Sequence, residues 1–266
     1  MRPRRHCLQA VAITAAGLLL AACGGGQAHS ASAPARDAGG ISHDVASTAS
    51  SGGAPVAALT PSRSQALSFA RAVNLSVSDI PEASIEAKPF RQSDAKERRE
   101  YQACERFVGW RQARAIAEAS SPRLKRGQEL EIELIRSWVV VVSNAQTVER
   151  QFAVLSSPAL RTCAARALTR NLDDKPLRNA HWGRVTVSKL PVKAPGATAT
   201  FGIRVEVMLD IPFSEVTVPI YVDELGFAIG RAEVGLLAAS ATQPIPASTE
   251  QELVALLLAR AKAHPL

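Results

Sequence analysis

The chain has few of the side chains that most often carry out chemistry. Its 266 residues include five histidines, four cysteines and two tyrosines, and aromatic residues make up only 5%. The sequence has no Cys-x-x-Cys pair, zinc-ligand spacing, EF-hand loop, Gly-x-Ser-x-Gly elbow or Gly-x-x-x-x-Gly-Lys phosphate loop. We therefore predict a protein that is not an enzyme, with no catalytic residue, no metal and no cofactor.

The residues that remain as candidates each have a plainer interpretation. His181 is the only histidine well inside the region that looks folded, and the others lie near the two ends of the chain: His6, His29, His43 and His264. We expect the acidic pairs Asp173-Asp174 and Asp223-Glu224 in turns, which such residues favour. Of the three tryptophans, Trp138 is expected in the core. Trp110 and Trp182 lie near element ends, where they would either pack or contact a ligand or partner.

Long apolar runs are also scarce, and the clearest one is N-terminal. Residues 11–22 are almost all apolar or small, follow Arg2, Arg4 and Arg5, and end in Leu20-Ala21-Ala22-Cys23. The run is shorter than the roughly 20 residues of a membrane-spanning helix. It is typical of a secretory signal, and its end resembles a bacterial lipobox, where cleavage precedes a cysteine that carries diacylglycerol.

We therefore predict a lipoprotein whose mature N-terminus is the acylated (palmitate-type) Cys23. A plain secretory signal and a retained apolar anchor are the alternatives, but neither needs Leu-Ala-Ala before the cysteine and three glycines after it. The expected location is the outer, extracytoplasmic face of the cell membrane. Loss of residues 1–22 removes three arginines and lowers the formal charge from +7 to +4. This mild positive charge requires no nucleic-acid partner. The sequence has short clusters of basic residues, which we expect to be solvated. The alternative is that they are weakly attracted to anionic lipid headgroups.

The cysteines then have a simple account. Cys7 belongs to the discarded signal and Cys23 carries lipid, which leaves Cys104 and Cys163 as a pair in an oxidising compartment. We predict a disulfide between them. It would close a loop of about 60 residues, worth about 4 kcal/mol on the chain-entropy model. A redox-active role is disfavoured because the pair lacks Cys-x-x-Cys spacing.

Composition divides the chain into three parts. Residues 1–22 are the predicted signal peptide. Residues 23–59 hold the lipidated cysteine and a Gly/Ala/Ser/Pro-rich stretch too poor in large apolar side chains to fold, so they form a flexible tether. A coil of about 35 residues spans about 30–35 Å. Residues 60–266 are predicted to form a single extracytoplasmic domain.

Within this domain, apolar periodicity predicts five helices. We expect them to begin near Thr60-Pro61, Ser93, Ser143, Ser157-Pro158 and Ser248, each after a capping side chain. The expected C-terminal stripe is Leu253, Val254, Leu257, Leu258 and Ala261.

Alternating apolar residues predict about six strands. They fall near residues 130–134, 138–142, 185–187, 201–209, 216–222 and 227–234, with a turn at Asp223-Glu224-Leu225-Gly226. Pro219 indicates an edge or a bulge. Short connections favour antiparallel pairing. The predicted fold is α+β, an antiparallel sheet with helices packed mainly on one face.

The order of these parts resembles a known group of proteins. The segments are Asn74-Leu75-Ser76-Val77-Ser78-Asp79-Ile80-Pro81, Trp138-Val139-Val140-Val141-Val142-Ser143 and Ser157-Pro158-Ala159-Leu160-Arg161-Thr162-Cys163. The chain resembles actinobacterial cell-surface lipoproteins with a PsbP-like α+β sandwich. It is also similar in layout to the extracellular sensor domain of the mycobacterial kinase PknH. The resemblance implies fold and location rather than activity.

Two functions fit this sequence. The first is a non-catalytic binding, interaction or sensory module, tethered through Cys23, whose partner is a cell-envelope protein or a wall component. The second is a carrier of a small apolar ligand or lipid in a pocket between sheet and helices.

Overall fold

The computed structural model describes residues 60–86, 104, 115–128, 131–173, 177, 180–211 and 216–266. The predicted signal peptide, almost all of the tether, the helix expected near Ser93 and Trp110 lie outside the described residues. Residues 61–266 belong to one compact unit.

Four α-helices and eight strands follow one another along the described chain, with the strands in two groups of four. The helices are α1 (Arg63–Val73), α2 (Ala145–Leu155), α3 (Pro158–Asp173) and α4 (Ala247–Ala263). The strands are β1 (Ser84–Ile85), β2 (Ala115–Ser120), β3 (Leu124–Arg126), β4 (Glu133–Val142), β5 (His181–Lys189), β6 (Ala199–Ile211), β7 (Val216–Ile229) and β8 (Ala232–Ala241). None of the helices in the described ranges is long and apolar enough to cross a membrane.

All eight strands form one antiparallel sheet in the order β1-β3-β4-β8-β7-β6-β5, with β2 also paired to β4. The predicted α+β class with an antiparallel sheet is thus confirmed. The strand count differs from the expected six in two ways. Strands β1, β2 and β3 are not among those predicted, because β1 and β3 have only two and three residues and half of β2 is alanine. The two strands expected near residues 130–134 and 138–142 are not separate, because β4 runs unbroken from Glu133 to Val142.

The helices are divided between the two faces of the sheet, whereas we expected them mainly on one. Helices α1 and α4 cover what we call the first face, with Val139, Phe227 and Leu236 in their core. Helices α2 and α3 cover the second face, where Phe152 contacts a cluster with Phe201 and Leu172 packs near Val207. The reason is that β4, β7 and β8 are apolar on both sides, so both faces must be shielded from water.

The predicted turn at Asp223–Gly226 is wrong. These residues lie in the middle of the 14-residue strand β7, and the chain reverses instead around Gly230, which has a φ of +55°. Asp223 is paired with Arg204 of β6 on one side and with Ala238 of β8 on the other. Ladder pairing on both sides outweighs the local turn preference of an Asp-Glu-x-Gly sequence.

Pro219 lies in β7, which is an interior strand rather than an edge. However, β8 pairs with β7 only from Ala241 opposite Ile220 onward, and the Thr242 backbone N–H donates to the Pro219 carbonyl where the ladder ends. The missing N–H of Pro219 therefore falls where β7 is locally an edge.

Helix starts differ from expectation by at most two residues. Helix α1 begins after Ser62, which forms a capping box with Gln65, and α2 begins after Asn144. Ser157 caps α3 as predicted, its Oγ accepting from the Leu160 N–H at 3.2 Å. Helix α4 begins after Pro246 without a side-chain cap, one residue before Ser248.

Candidate functional site

Among the described residues, the structure brings together one of the residue sets that the sequence singled out. Cys104 and Cys163 are joined by a disulfide, with Cα atoms 5.6 Å apart, which fits the predicted bridge. Cys104 is buried and packs with Leu160 and Ala167 of α3. The predicted lipidation site Cys23 lies outside the described residues.

The other candidates are dispersed. His181 is exposed at the start of the edge strand β5, and His264 is exposed at the end of α4. Trp182 is half-buried against apolar clusters of the second face. Trp138 is half-buried there too, with its indole directly over Gly235. Within the described ranges no three His, Cys, Asp or Glu side chains are grouped to hold a metal ion.

Asp223 is the exception, because the sheet buries it against a guanidinium. Asp223 is buried and lies on the first face. Arg204 Nε donates to Asp223 Oδ1 at 2.7 Å, and Nη2 donates to Oδ2 at 2.5 Å. This two-bond arrangement fixes both groups and is stronger than a single neutral hydrogen bond.

A second buried carboxyl group reaches this pair from the first turn of α4. Glu250 is 2% exposed, and its Oε1 has no hydrogen-bond partner among the described residues. Burial, followed by a hydrogen bond to Asp223 and the negative charge of Asp223, raises the pKa of Glu250 to about 9, although Arg204 opposes the shift. At neutral pH Glu250 is therefore protonated and donates to Asp223.

Arg204 extends this buried pair to the surface. Its side chain is 22% exposed, whereas that of Asp223 is 2% exposed. The guanidinium carbon lies 5.6 Å from the ring centroid of Tyr221, within cation–π range. We call Arg204, Tyr221, Asp223 and Glu250 the Arg204 cluster.

Beside the cluster, the first face of β6 and β7 is partly open. The core beneath α1 and α4 includes Leu225 and Phe227 of β7 but, among the described residues, none of β6. Here Glu206, Met208, Asp210 and Tyr221 are half-buried. We call this the hairpin surface. Tyr, Met and Arg are enriched in protein interfaces.

Further charged groups lie on the second face. Burial raises the pKa of Glu233 on β8 to about 7. Burial also raises the pKa of Glu118 on β2, against the opposing charge of Arg136 on β4. These groups are spread over different strands, and the described residues do not unite them into one site.

Two polar networks on the first face hold the segment after α1 to the rest of the fold. Ser137 Oγ donates to Asn74 Oδ1 at 2.7 Å and accepts from the Leu75 N–H at 2.8 Å. Arg260 donates to both carboxylate oxygens of Asp79, at 2.7 and 2.9 Å. Burial alone would raise the pKa of Asp79, but hydrogen bonds from Arg260 and Ser76 outweigh it and lower that pKa. Both networks tie elements together.

Comparison with known proteins gives little further help. No protein-family model matches the chain, and no curated protein matches it. Among solved structures, it is similar to the crystal structure of the extracellular domain of PknH from Mycobacterium tuberculosis. That alignment has 12% identity and a TM-score of 0.32, and covers 74% of this chain and 96% of that one. The sequence resemblance pointed to the same protein. The PsbP-like and lipoprotein assignments stay predictions.

Sequence reasoning missed Arg204, Tyr221 and Glu250. A signal for Glu250 exists, since it lies three and seven residues before Leu253 and Leu257 on the same face of α4. An acid on such a stripe must be buried. Nothing in the sequence indicates that Arg204 pairs with a buried acid. The alternation of Ile203 and Val205 around it identifies only the apolar side of the strand.

Proposed function

We propose that the chain is a non-catalytic binding or sensory module, held at the outer face of the cell membrane by a lipid on Cys23. The observation that carries this proposal is the position of Arg204. Its guanidinium is bonded to the buried Asp223 and also contacts Tyr221 on the hairpin surface. A partner that binds this surface and displaces Arg204 would therefore alter the ion pair of the buried Asp223 and, through it, the contact with Glu250.

Burial of the carboxyl groups supports binding rather than catalysis. A general acid or base must come within hydrogen-bond reach of the substrate. Asp223 and Glu250 are almost fully enclosed, and the raised pKa of Glu250 keeps its proton inside the fold. Of the Arg204 cluster, only Arg204 and Tyr221 are accessible to a partner.

The same cluster provides a route for a response. If a bound acidic group drew Arg204 away from Asp223, the carboxyl pair would lose its compensating charge. Glu250 lies in the first turn of α4, where Gln251 also bonds the loop after β5 through the Lys193 N–H and the Pro191 carbonyl. The expected response is a shift of this turn and loop. The proposed partner is a cell-envelope protein or wall component.

In-cell crosslinking tests this proposal. A photoreactive phenylalanine analogue at Tyr221 should give a reproducible adduct with an envelope partner. The matched control places the analogue at Glu149, which is exposed on α2 and therefore on the second face. Adducts that are equally frequent at both positions, or absent at Tyr221, would contradict a specific partner at the hairpin surface.

The lipid is tested separately by intact mass. The chain extracted from membranes should begin at Cys23 and carry diacylglycerol. Cys23→Ser should abolish the diacylglycerol and make any remaining association with the membrane sensitive to a high-salt wash. An unmodified Cys23 on a membrane-bound chain would refute the lipid but not the binding site.

The carrier function is less favoured by the contacts on the second face. The Trp138 indole lies so close to Gly235, and the Phe201 ring so close to Gly226, that a methyl group at either glycine would overlap them. The rings therefore fill the space beside this part of the sheet. A small apolar molecule that copurified in native mass spectrometry would reverse this preference.

A further inference from the structure

The net charge of the predicted domain comes from one stretch of sequence. Residues 158–189 contain seven Lys and Arg side chains and two acidic ones. The rest of the domain, residues 60–157 and 190–266, contains 20 basic and 20 acidic residues. The excess positive charge therefore falls within this one stretch of the sequence.

This stretch forms α3 and the edge strand β5, which pack against each other. Arg166 and Arg170 are exposed four residues apart, on the same outward side of α3. Lys189 is exposed on β5, on the same side of the strand as Val185 and Val187 of the second-face core. We call Arg166, Arg170 and Lys189 the basic surface.

These side chains differ from three arginines that help to hold the fold together. Arg204, Arg260 and Arg126 are each bonded to a carboxylate, at 2.5–2.7 Å. No such ion pair joins a residue of the basic surface to the part of the chain that the structure describes. The charge of the basic surface is thus not used to hold the fold together, and it is available to an external anion.

We propose that the basic surface binds the anionic phospholipid headgroups of the membrane to which the chain is tethered. This rests on the proposed lipid anchor, which would keep the domain about 30–35 Å or less from the bilayer on average. Each Lys or Arg near an anionic membrane strengthens binding by about fivefold. Since α3 lies on the second face, this contact leaves the hairpin surface on the first face free for a partner.

Vesicle sedimentation tests the contact apart from the anchor. The chain from residue 23 onward, with Cys23→Ser, carries no lipid and keeps residues 61–266, which contain every described core cluster. It should bind vesicles of phosphatidylcholine with roughly one-third phosphatidylglycerol, and much less to pure phosphatidylcholine. Binding should fall steeply between about 50 and about 200 mM salt.

A matched pair of double variants locates the surface. Arg166→Gln with Arg170→Gln should weaken binding by about 30-fold, since two charges are removed. Arg63→Gln with Arg71→Gln removes the same charge from exposed positions of α1, on the other face, and should change binding by less than about twofold. Circular dichroism of both variants checks that they are folded.

Three results would overturn the proposal. These are equal binding to the two vesicle types, equal loss in both double variants, and binding to soluble polyphosphate without binding to vesicles. The last would indicate a wall polymer or another polyanion as the ligand. Because the tested chain has no lipid, a negative result leaves the Cys23 prediction intact, and an unmodified Cys23 leaves the vesicle result intact.

Discussion

Among single residues, two buried glutamates determine how the domain should respond to pH. Glu250 has its pKa raised to about 9 and Glu233 to about 7, in both cases chiefly by burial. Between the unfolded value of 4.5 and these raised values, the folded chain holds protons that the unfolded chain has released. The free energy of unfolding should therefore fall as pH rises through this window.

Glu250→Gln tests this at the more strongly shifted site. Glutamine can still donate to Asp223 but does not titrate, so the variant should be more stable than the parent by roughly 1–3 kcal/mol at about pH 8 and by less at about pH 5. Thermal unfolding across this range measures the difference. Glu252→Gln, at an exposed position of the same helix, should leave the pH dependence unchanged. If the stabilities of the parent and of Glu250→Gln changed in parallel with pH, the raised pKa of Glu250 would be refuted.

Asp223→Asn should destabilise the domain because it leaves Arg204 half-buried without its counter-charge. The expected loss is about 3 kcal/mol in urea unfolding. Replacing both partners, Arg204→Met with Asp223→Asn, should cost less than the single change, because no uncompensated charge remains. A double variant that lost at least as much as the single one would show that the pair itself, and not the orphaned charge, dominates.

Among elements, the central strands depend on close contacts between glycines and rings. Trp138 of β4 is paired with Gly235 of β8, which is paired with Gly226 of β7, which is paired with Phe201 of β6. Each ring lies over the neighbouring glycine on the second face. The glycines are needed here because the rings occupy the position of a Cβ.

Gly235→Ala should cost about 2 kcal/mol or more, since the added methyl group forces the Trp138 ring off the sheet. The same change in a Trp138→Leu background should cost clearly less, which a double-mutant cycle of unfolding free energies measures. Equal costs in both backgrounds would mean that the indole does not limit the space at residue 235.

For the whole molecule, the disulfide joins two distant parts of the chain. Cys104 and Cys163 are 59 residues apart in sequence, so the bridge restricts the unfolded chain substantially. On the chain-entropy model, Cys104→Ser with Cys163→Ser should lower stability by about 4 kcal/mol. Alkylation should reach neither cysteine before reduction, and labelling of both in the unreduced denatured chain would contradict the bridge.

The distribution of charge also belongs to the scale of the whole molecule. The basic surface includes α3 on the second face, whereas the hairpin surface with Glu206 and Asp210 lies on the first face. A tethered domain with this arrangement would present opposite faces to the bilayer and to a partner. The proposed functions therefore occupy separate surfaces.

The sequence by itself determined the fold class, most of the helices, the apolar stripe of α4 and the pairing of Cys104 with Cys163. These follow from local periodicity and from counting cysteines, which need no knowledge of what lies across the sheet. The N-terminal signal, the lipid on Cys23 and the tether are predicted on the same local grounds.

Only the tertiary structure decided that Asp223 lies inside a strand, that helices cover both faces and that Arg204, Asp223 and Glu250 meet. An Asp-Glu-x-Gly segment favours a turn when considered alone. It becomes strand because β6 and β8 supply hydrogen bonds on both sides and because Arg204, 19 residues earlier, neutralises Asp223. Glu250 joins them from 27 residues later only when α4 packs on the first face. Such long-range electrostatic compensation leaves no local pattern in a sequence.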